Sequence, residues 1–168
     1  MRNIFRLLWL CLWLCLPASL SYANEKIDNF NVVIEALENG DFEITEVITV
    51  TSQGRQIKRG IYRDLPRFYL EGDLEVPYRY TDISVTRNHR KEKFRRTTDG
   101  NAMRLIIGDE DTVLLYGWHT YTIKYRVKDQ INRGDTYDEI YWNVTGNDWG
   151  FSIHQSSVTV KAPDGAYL

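Results

Sequence analysis

An antiparallel, immunoglobulin-like β-sandwich of about seven or eight strands is the fold this sequence predicts. Three observations carry that expectation. Apolar residues recur with period two in several stretches, turn-forming Gly, Asn and Asp separate them, and no helical period longer than two turns occurs after residue 23.

Taken in order, Phe30, Val32, Ile34 and Ala36 alternate with polar residues, as a half-buried strand requires. Asn39-Gly40 follows, a pair suited to the positive backbone angles of a tight turn. Phe42, Ile44, Ile48 and Val50 resume the alternation, so residues 27–51 read as a β-hairpin. Residues 76–87 and 102–108 read as less regular strands, with Pro77 best placed at an edge or a strand start. Tyr121, Ile123, Tyr125 and Val127 alternate against Thr122, Lys124, Arg126 and Lys128, a strand with one wet face. Ile140, Trp142 and Val144 form a further strand, and Ile153, Val158, Val160 and Ala162 close the domain. The cysteine–tryptophan–cysteine hallmark of antibody domains is absent, so only the architecture is expected.

The first 23 residues have a different character. Arg2 and Arg6 precede the apolar run Leu7 to Leu16, Pro17 breaks it, and Ser21-Tyr22-Ala23 supplies a small-x-small cleavage pattern. This is the layout of a secretory signal. Ten apolar residues reach about 15 Å as a helix, about half a hydrocarbon core, which argues against a membrane anchor. The expected organisation is therefore a signal over 1–23 and one extracytoplasmic β-sandwich domain over 24–168.

Both cysteines, Cys11 and Cys15, fall in the signal, so the exported chain has no disulfide, thiol nucleophile or thiolate metal site. The signal carries two basic residues and no acid, so its removal takes the formal charge from −2 to −4. That mild acidity offers no global basic field for nucleic acid. His89, His119 and His154 show no metal-ligand spacing, and no phosphate-binding or nucleophile-elbow motif occurs. No cofactor is implied.

Two stretches stand out: Gly60-Ile61-Tyr62-Arg63-Asp64-Leu65-Pro66, and Asp138 through Trp149, DEIYWNVTGNDW. With Gly40 through Glu46 and His119 through Tyr125, they resemble the amino-terminal domain of the predicted membrane protein family called domain of unknown function 2207. The resemblance covers residues 25–165. It implies a bacterial extracytoplasmic β-domain, usually followed by transmembrane helices and a low-complexity tail, whereas this chain stops at Leu168. The resemblance supplies no activity.

Three groups of polar residues are candidate sites. Glu46 interrupts the apolar face Phe42, Ile44, Ile48, Val50, and a carboxylate buried there requires a cation. Arg63 is the expected partner, forming a structural ion pair, with Arg59 as the alternative. A bulge at Glu46-Val47, which would leave Glu46 in solvent, is a third reading. Arg87, Arg90, Lys91, Lys93, Arg95 and Arg96, opposed only by Glu92, read as a long solvated hairpin arm. Such an arm is either plain solvated charge or a contact for an anionic membrane surface or envelope polymer. Asp138, Glu139 and Asp148 beside Trp142 and Trp149 are the acids a cell-wall or polysaccharide hydrolase would use. In a strand, however, Asp138 and Glu139 point to opposite faces. The sequon Asn143-Val144-Thr145 reads as turn structure at Gly146-Asn147. A non-catalytic interaction or sensing module of an envelope membrane protein is the function expected, with the hydrolase as its rival.

Overall fold

The computed structural model describes residues 24–147, 149–163 and 165–166. The signal reading of residues 1–23 and the side chain of Asp148 lie outside them.

The described chain is all β. The hairpin forms as its alternation and turn require: β1 (Lys26–Ala36) and β2 (Phe42–Ser52) pair antiparallel, with Gly40 at φ +90° in the turn. Next come β3 (Gly60–Pro66), β4 (Phe68–Glu71), β5 (Leu74–Pro77) and β6 (Tyr80–Arg87). They are followed by β7 (Arg90–Lys91), β8 (Phe94–Asp99), β9 (Ala102–Gly108) and β10 (Gly117–Val127). Three short strands complete the set: β11 (Ile131–Arg133), β12 (Asp138–Ile140) and β13 (Ser156–Lys161). Pro77 ends β5, where its missing N–H costs little.

Two layers enclose one core. The larger sheet runs β13-β1-β2-β10-β6-β7 and the smaller β3-β9-β8, with β4–β5 and β11–β12 as two-stranded ribbons. The larger sheet contributes Phe30, Val32, Ile44, Ile48, Tyr121 and Ile123, all buried, and the smaller contributes Ile61, Leu65, Leu105 and Ile107. Burying side chains of this size supplies the main favourable folding term. The smaller sheet starts where Gly60 faces Gly108: a Cβ on Gly60 would collide with the Ile107 carbonyl oxygen.

Glu25, ahead of β1, ties down the loop between β2 and β3. Its carboxylate accepts the backbone N–H groups of Gln53 and Arg55 at 2.9 and 3.1 Å, and of Gln56 and Ile57 at 2.7 and 3.2 Å. Partial burial works against the charge, but the four amides outweigh it and hold the Glu25 carboxyl below its usual range.

The strand inventory departs from expectation in four places. Thirteen strands form among the described residues: residues 76–87 divide between β5 and β6, and β3, β4 and β11 lie in stretches where the sequence predicts no strand. The sheet is not purely antiparallel, since β13 pairs parallel to β1 with Val32 opposite Val158. The Asp138-to-Val144 segment is a strand only to Ile140; Trp142 and Val144 belong to an irregular segment that folds back onto the core. The basic stretch is not an arm. Asn88 and His89, both at positive φ, make a two-residue turn from β6 to β7, and the chain then crosses to β8 in the smaller sheet.

Candidate functional site

The GIYRDLP motif is β3, and its alternation sends neighbouring residues to opposite faces. Arg63 points inward. Its Nε donates to Glu46 Oε2 at 2.8 Å and its Nη2 to Glu46 Oε1 at 2.7 Å, a two-pronged pair with both side chains at most 2% exposed. The Tyr125 hydroxyl donates to the same Glu46 Oε1 at 2.6 Å. Burial pushes the Tyr125 hydroxyl well above the ordinary tyrosine value, and the adjacent carboxylate adds to the shift, so it remains a donor. Burial also works against the Arg63 charge, but Glu46 outweighs it and keeps the guanidinium ionised. No bulge interrupts β2 at Glu46-Val47, and Arg59 is exposed, away from this pair.

The other side of Arg63 holds the second motif. Its Nη1 donates to the Asp64 carbonyl at 3.0 Å and to the Thr145 carbonyl at 3.1 Å. The Trp149 indole N–H donates to Thr145 as well, at 2.9 Å, and the guanidinium lies 5.4 Å from the Phe30 ring centre and 5.8 Å from that of Trp149. Gly146, at φ +74°, passes so close that a Cβ there would meet Arg63 Nη1 at 2.5 Å. Asn143 shapes the turn by accepting the Gly146 N–H at 3.1 Å and donating to Asn147 at 3.3 Å. Arg63 thus fastens the two motifs together.

Asp64 points outward. Arg104 of β9 donates to it twice, from Nε at 2.7 Å and Nη2 at 2.6 Å, and also pairs with Asp99. The same guanidinium lies 5.4 Å from the Tyr62 ring centre, a cation–π contact. Asp64, Arg104 and Asn147 line two recesses at once. One, of about 420 Å³, lies toward Tyr62, Trp149 and Phe151; the other, of about 380 Å³, lies toward Tyr78, Tyr141 and Trp142. Together they make a groove along the outer edge of β3, walled by residues 141–143, 146–147 and 149–151. Trp142 stands edge-on to Phe42 and Tyr78, which fixes the wall to the core.

Sequence reasoning missed this groove. Tyr62, Asp64 and Arg104 come together through strand alternation and the β3–β9 register, which pairs Asp64 with Arg104. The alternation of GIYRDLP was the available signal; the register was not.

The basic stretch carries less free charge than its composition suggests. Arg87 pairs with Glu92, Lys93 with Asp109 at 2.6 Å and Arg95 with Glu110 at 3.0 Å. Arg90, Lys91 and Arg96 are exposed, and no acid pairs with them among the described residues. Asp138 and Glu139 are exposed on β12, off the groove, with Asp138 3.8 Å from Arg133. Among the described residues no helix is long and apolar enough to cross a membrane.

Comparison with known proteins places this architecture. The model of the family described as "Predicted membrane protein (DUF2207) N-terminal domain" matches residues 26–167, and the chain belongs to that family. It is 32% identical over 170 aligned positions to a protein of Escherichia coli K12 described as uncharacterized, YciQ. The alignment covers 96% of this chain and 27% of that relative, so the chain spans about a quarter of the relative's length. Among solved structures, leukotriene A4 hydrolase from Saccharomyces cerevisiae aligns with TM-score 0.51 and 11% identity, over 85% of this chain and 24% of the hydrolase. Another yeast LTA4 hydrolase structure aligns over 63% of this chain and 15% of its own, with TM-score 0.44 and 11% identity. At that identity the likeness is one of fold.

Proposed function

We propose that this family member is a non-catalytic, extracytoplasmic binding module of a bacterial envelope membrane protein, and that it holds its ligand in the groove along β3. The carrying observation is that the two family motifs are locked together by Arg63 and form opposite walls of one groove. Concave sites with aromatic walls and a few convergent polar groups are where small ligands bind.

Holding rather than cleaving is the role this chemistry favours. Asp64 and Asp99, the acids of the recess beside Trp142, both engage Arg104, Asp109 and Glu110 of the other recess pair with Lys93 and Arg95, and Asp138 and Glu139 lie elsewhere. A glycosidase needs two facing carboxyls about 5–9.5 Å apart, one of them free to move a proton. The unpaired cations Arg90, Lys91 and Arg96 supply the contact to an anionic membrane surface or envelope polymer in this reading.

Site-specific photo-crosslinking in exported protein tests the groove. A photoreactive side chain at position 62 or 141 should give adducts that one at exposed Tyr137, outside the groove linings, does not. Equal labelling at all three positions would remove the groove from the function.

A further inference from the structure

The groove has the chemistry of one ligand class. Its floor is a row of planar polar groups: the Asp64 carboxylate, the Arg104 guanidinium and the Asn147 amide, with Asn143 and Asn101 beside them. These groups are held in place. Asp64 is gripped in two prongs by Arg104, and Asn147 accepts from Asn143, which is itself fixed by Gly146. An amide or carboxylate whose plane is fixed presents adjacent donors and acceptors to a pair of neighbouring hydroxyls, with little ordering cost on binding. At either end stands an open aromatic ring: Tyr62 is 60% exposed and Tyr141 73%. Arg104 lies over the Tyr62 ring, so that ring is held in position while most of its surface stays accessible.

Two other ligand classes fit less well. A polyanion would need unpaired cations where the two recesses meet, and Arg104, the cation common to both, already serves Asp64 and Asp99, while Lys58 and Arg59 line only the recess toward Trp149, which also carries the acids Asp109 and Glu110. An extended peptide adding to the edge of β3 would need that strand's outward main-chain groups. The Asp64 carbonyl already accepts from Arg63, and the same Arg63 nitrogen pins Thr145 beside it. A strand inserted there would break both bonds.

We infer that the groove along β3 binds an uncharged oligosaccharide, its hydroxyls on Asp64, Arg104 and Asn147 and its sugar faces on Tyr62 and Tyr141. This rests on the groove being the binding surface proposed above. The sugar ring supplies both requirements at once: an apolar face of C–H groups that stacks on tyrosine, and an equatorial rim of hydroxyls that meets the polar floor.

The test uses the exported chain and two defined probes, tetramers of β-linked N-acetylglucosamine and of β-linked glucose, in isothermal titration. At least one should bind with Kd below about 1 mM, and Tyr62→Ala and Tyr141→Ala should each weaken it at least tenfold, about 1.4 kcal/mol. Tyr137→Ala should leave it unchanged, and melting curves should show all three variants folded. Arg104→Lys, which keeps the charge and loses the fork, should also weaken binding. The inference is overturned if neither tetramer binds, or if binding survives both tyrosine changes. In that event a library of extended peptides separates the two readings. Peptide binding lost in the same variants keeps the groove and discards the sugar, whereas no groove-dependent binding of either class discards both. Shortened tetramer in the titration cell would keep the sugar and overturn the non-catalytic role.

Discussion

Arg63 and Asp64 are adjacent in sequence and each joins a two-pronged guanidinium–carboxylate pair, yet the two pairs do different things. Arg63–Glu46 is sealed between the sheets, at most 2% exposed, with Tyr125, Phe30 and Trp149 around it. Asp64–Arg104 lies on the outer face, with its side chains 20% and 29% exposed. The geometry is the same and the surroundings differ. In the buried pair, loss of one partner strands a charge where water cannot reach it, so the energetic consequence is structural. In the outer pair water replaces either partner, so little stability rests on it and its value is a fixed orientation toward the groove.

The comparison breaks most sharply at its buried half. Arg63→Ala or Glu46→Ala should each destabilise by about 3–5 kcal/mol. Glu46→Leu combined with Arg63→Met should cost far less than the sum of its single changes, because no charge is left alone. Additive losses in denaturant titrations of the parent, the two single variants and the double variant would show that the pair does not act as a unit.

Next in size is the wall that Arg63 fastens. Trp142→Ala should cost about 3 kcal/mol, the lower end for a large aromatic, because the ring is only half-buried. Trp142→Phe should cost much less, since it keeps a ring and removes an indole N–H that is buried without an acceptor among the described residues. Equal melting temperatures for the Ala variant and the parent would place this residue outside the core's support.

Glu25 sharpens the contrast by pH. Its folded carboxyl titrates below the ordinary 4.5, so its contribution is present above that value and lost as pH falls through the folded value. Glu25→Gln should lower stability by about 1 kcal/mol near neutrality, the scale of hydrogen bonds to an accessible carboxylate. The gap between parent and variant should narrow in melts taken below pH 4.5. A gap that holds constant down to about pH 3 would contradict the four-amide account.

The smallest stability change belongs to the outer pair. Asp64→Asn should shift stability by less than about 1 kcal/mol while removing groove binding. Arg90, Lys91 and Arg96 are more exposed still, and Arg90→Ala, Lys91→Ala and Arg96→Ala together should leave melting unchanged. They should weaken flotation with anionic vesicles by about 1 kcal/mol per residue, an effect that fades with salt. Salt-insensitive flotation would remove those cations from any membrane contact.

Local pattern determined a good deal by itself. The β1–β2 hairpin was legible because alternation and an Asn-Gly turn act between near neighbours, and β10 because its period-two run is long. The inward placement of Glu46 followed from the same period, and the demand that a buried carboxylate meet a cation pointed to Arg63. Tertiary structure decided what depends on distant partners. The pairing of Val32 with Val158 joins the two ends of the described chain in parallel, and no local period encodes a parallel partner. The run from Ile140 to Val144 alternates like a strand, yet Arg63 and the aromatic rings of the core capture it as an irregular wall. The basic stretch reads as an arm because its acids, Asp109 and Glu110, come from another part of the chain. The groove belongs to the same class: Asp64 meets Arg104 through strand register, which is fixed only when both sheets close on one core.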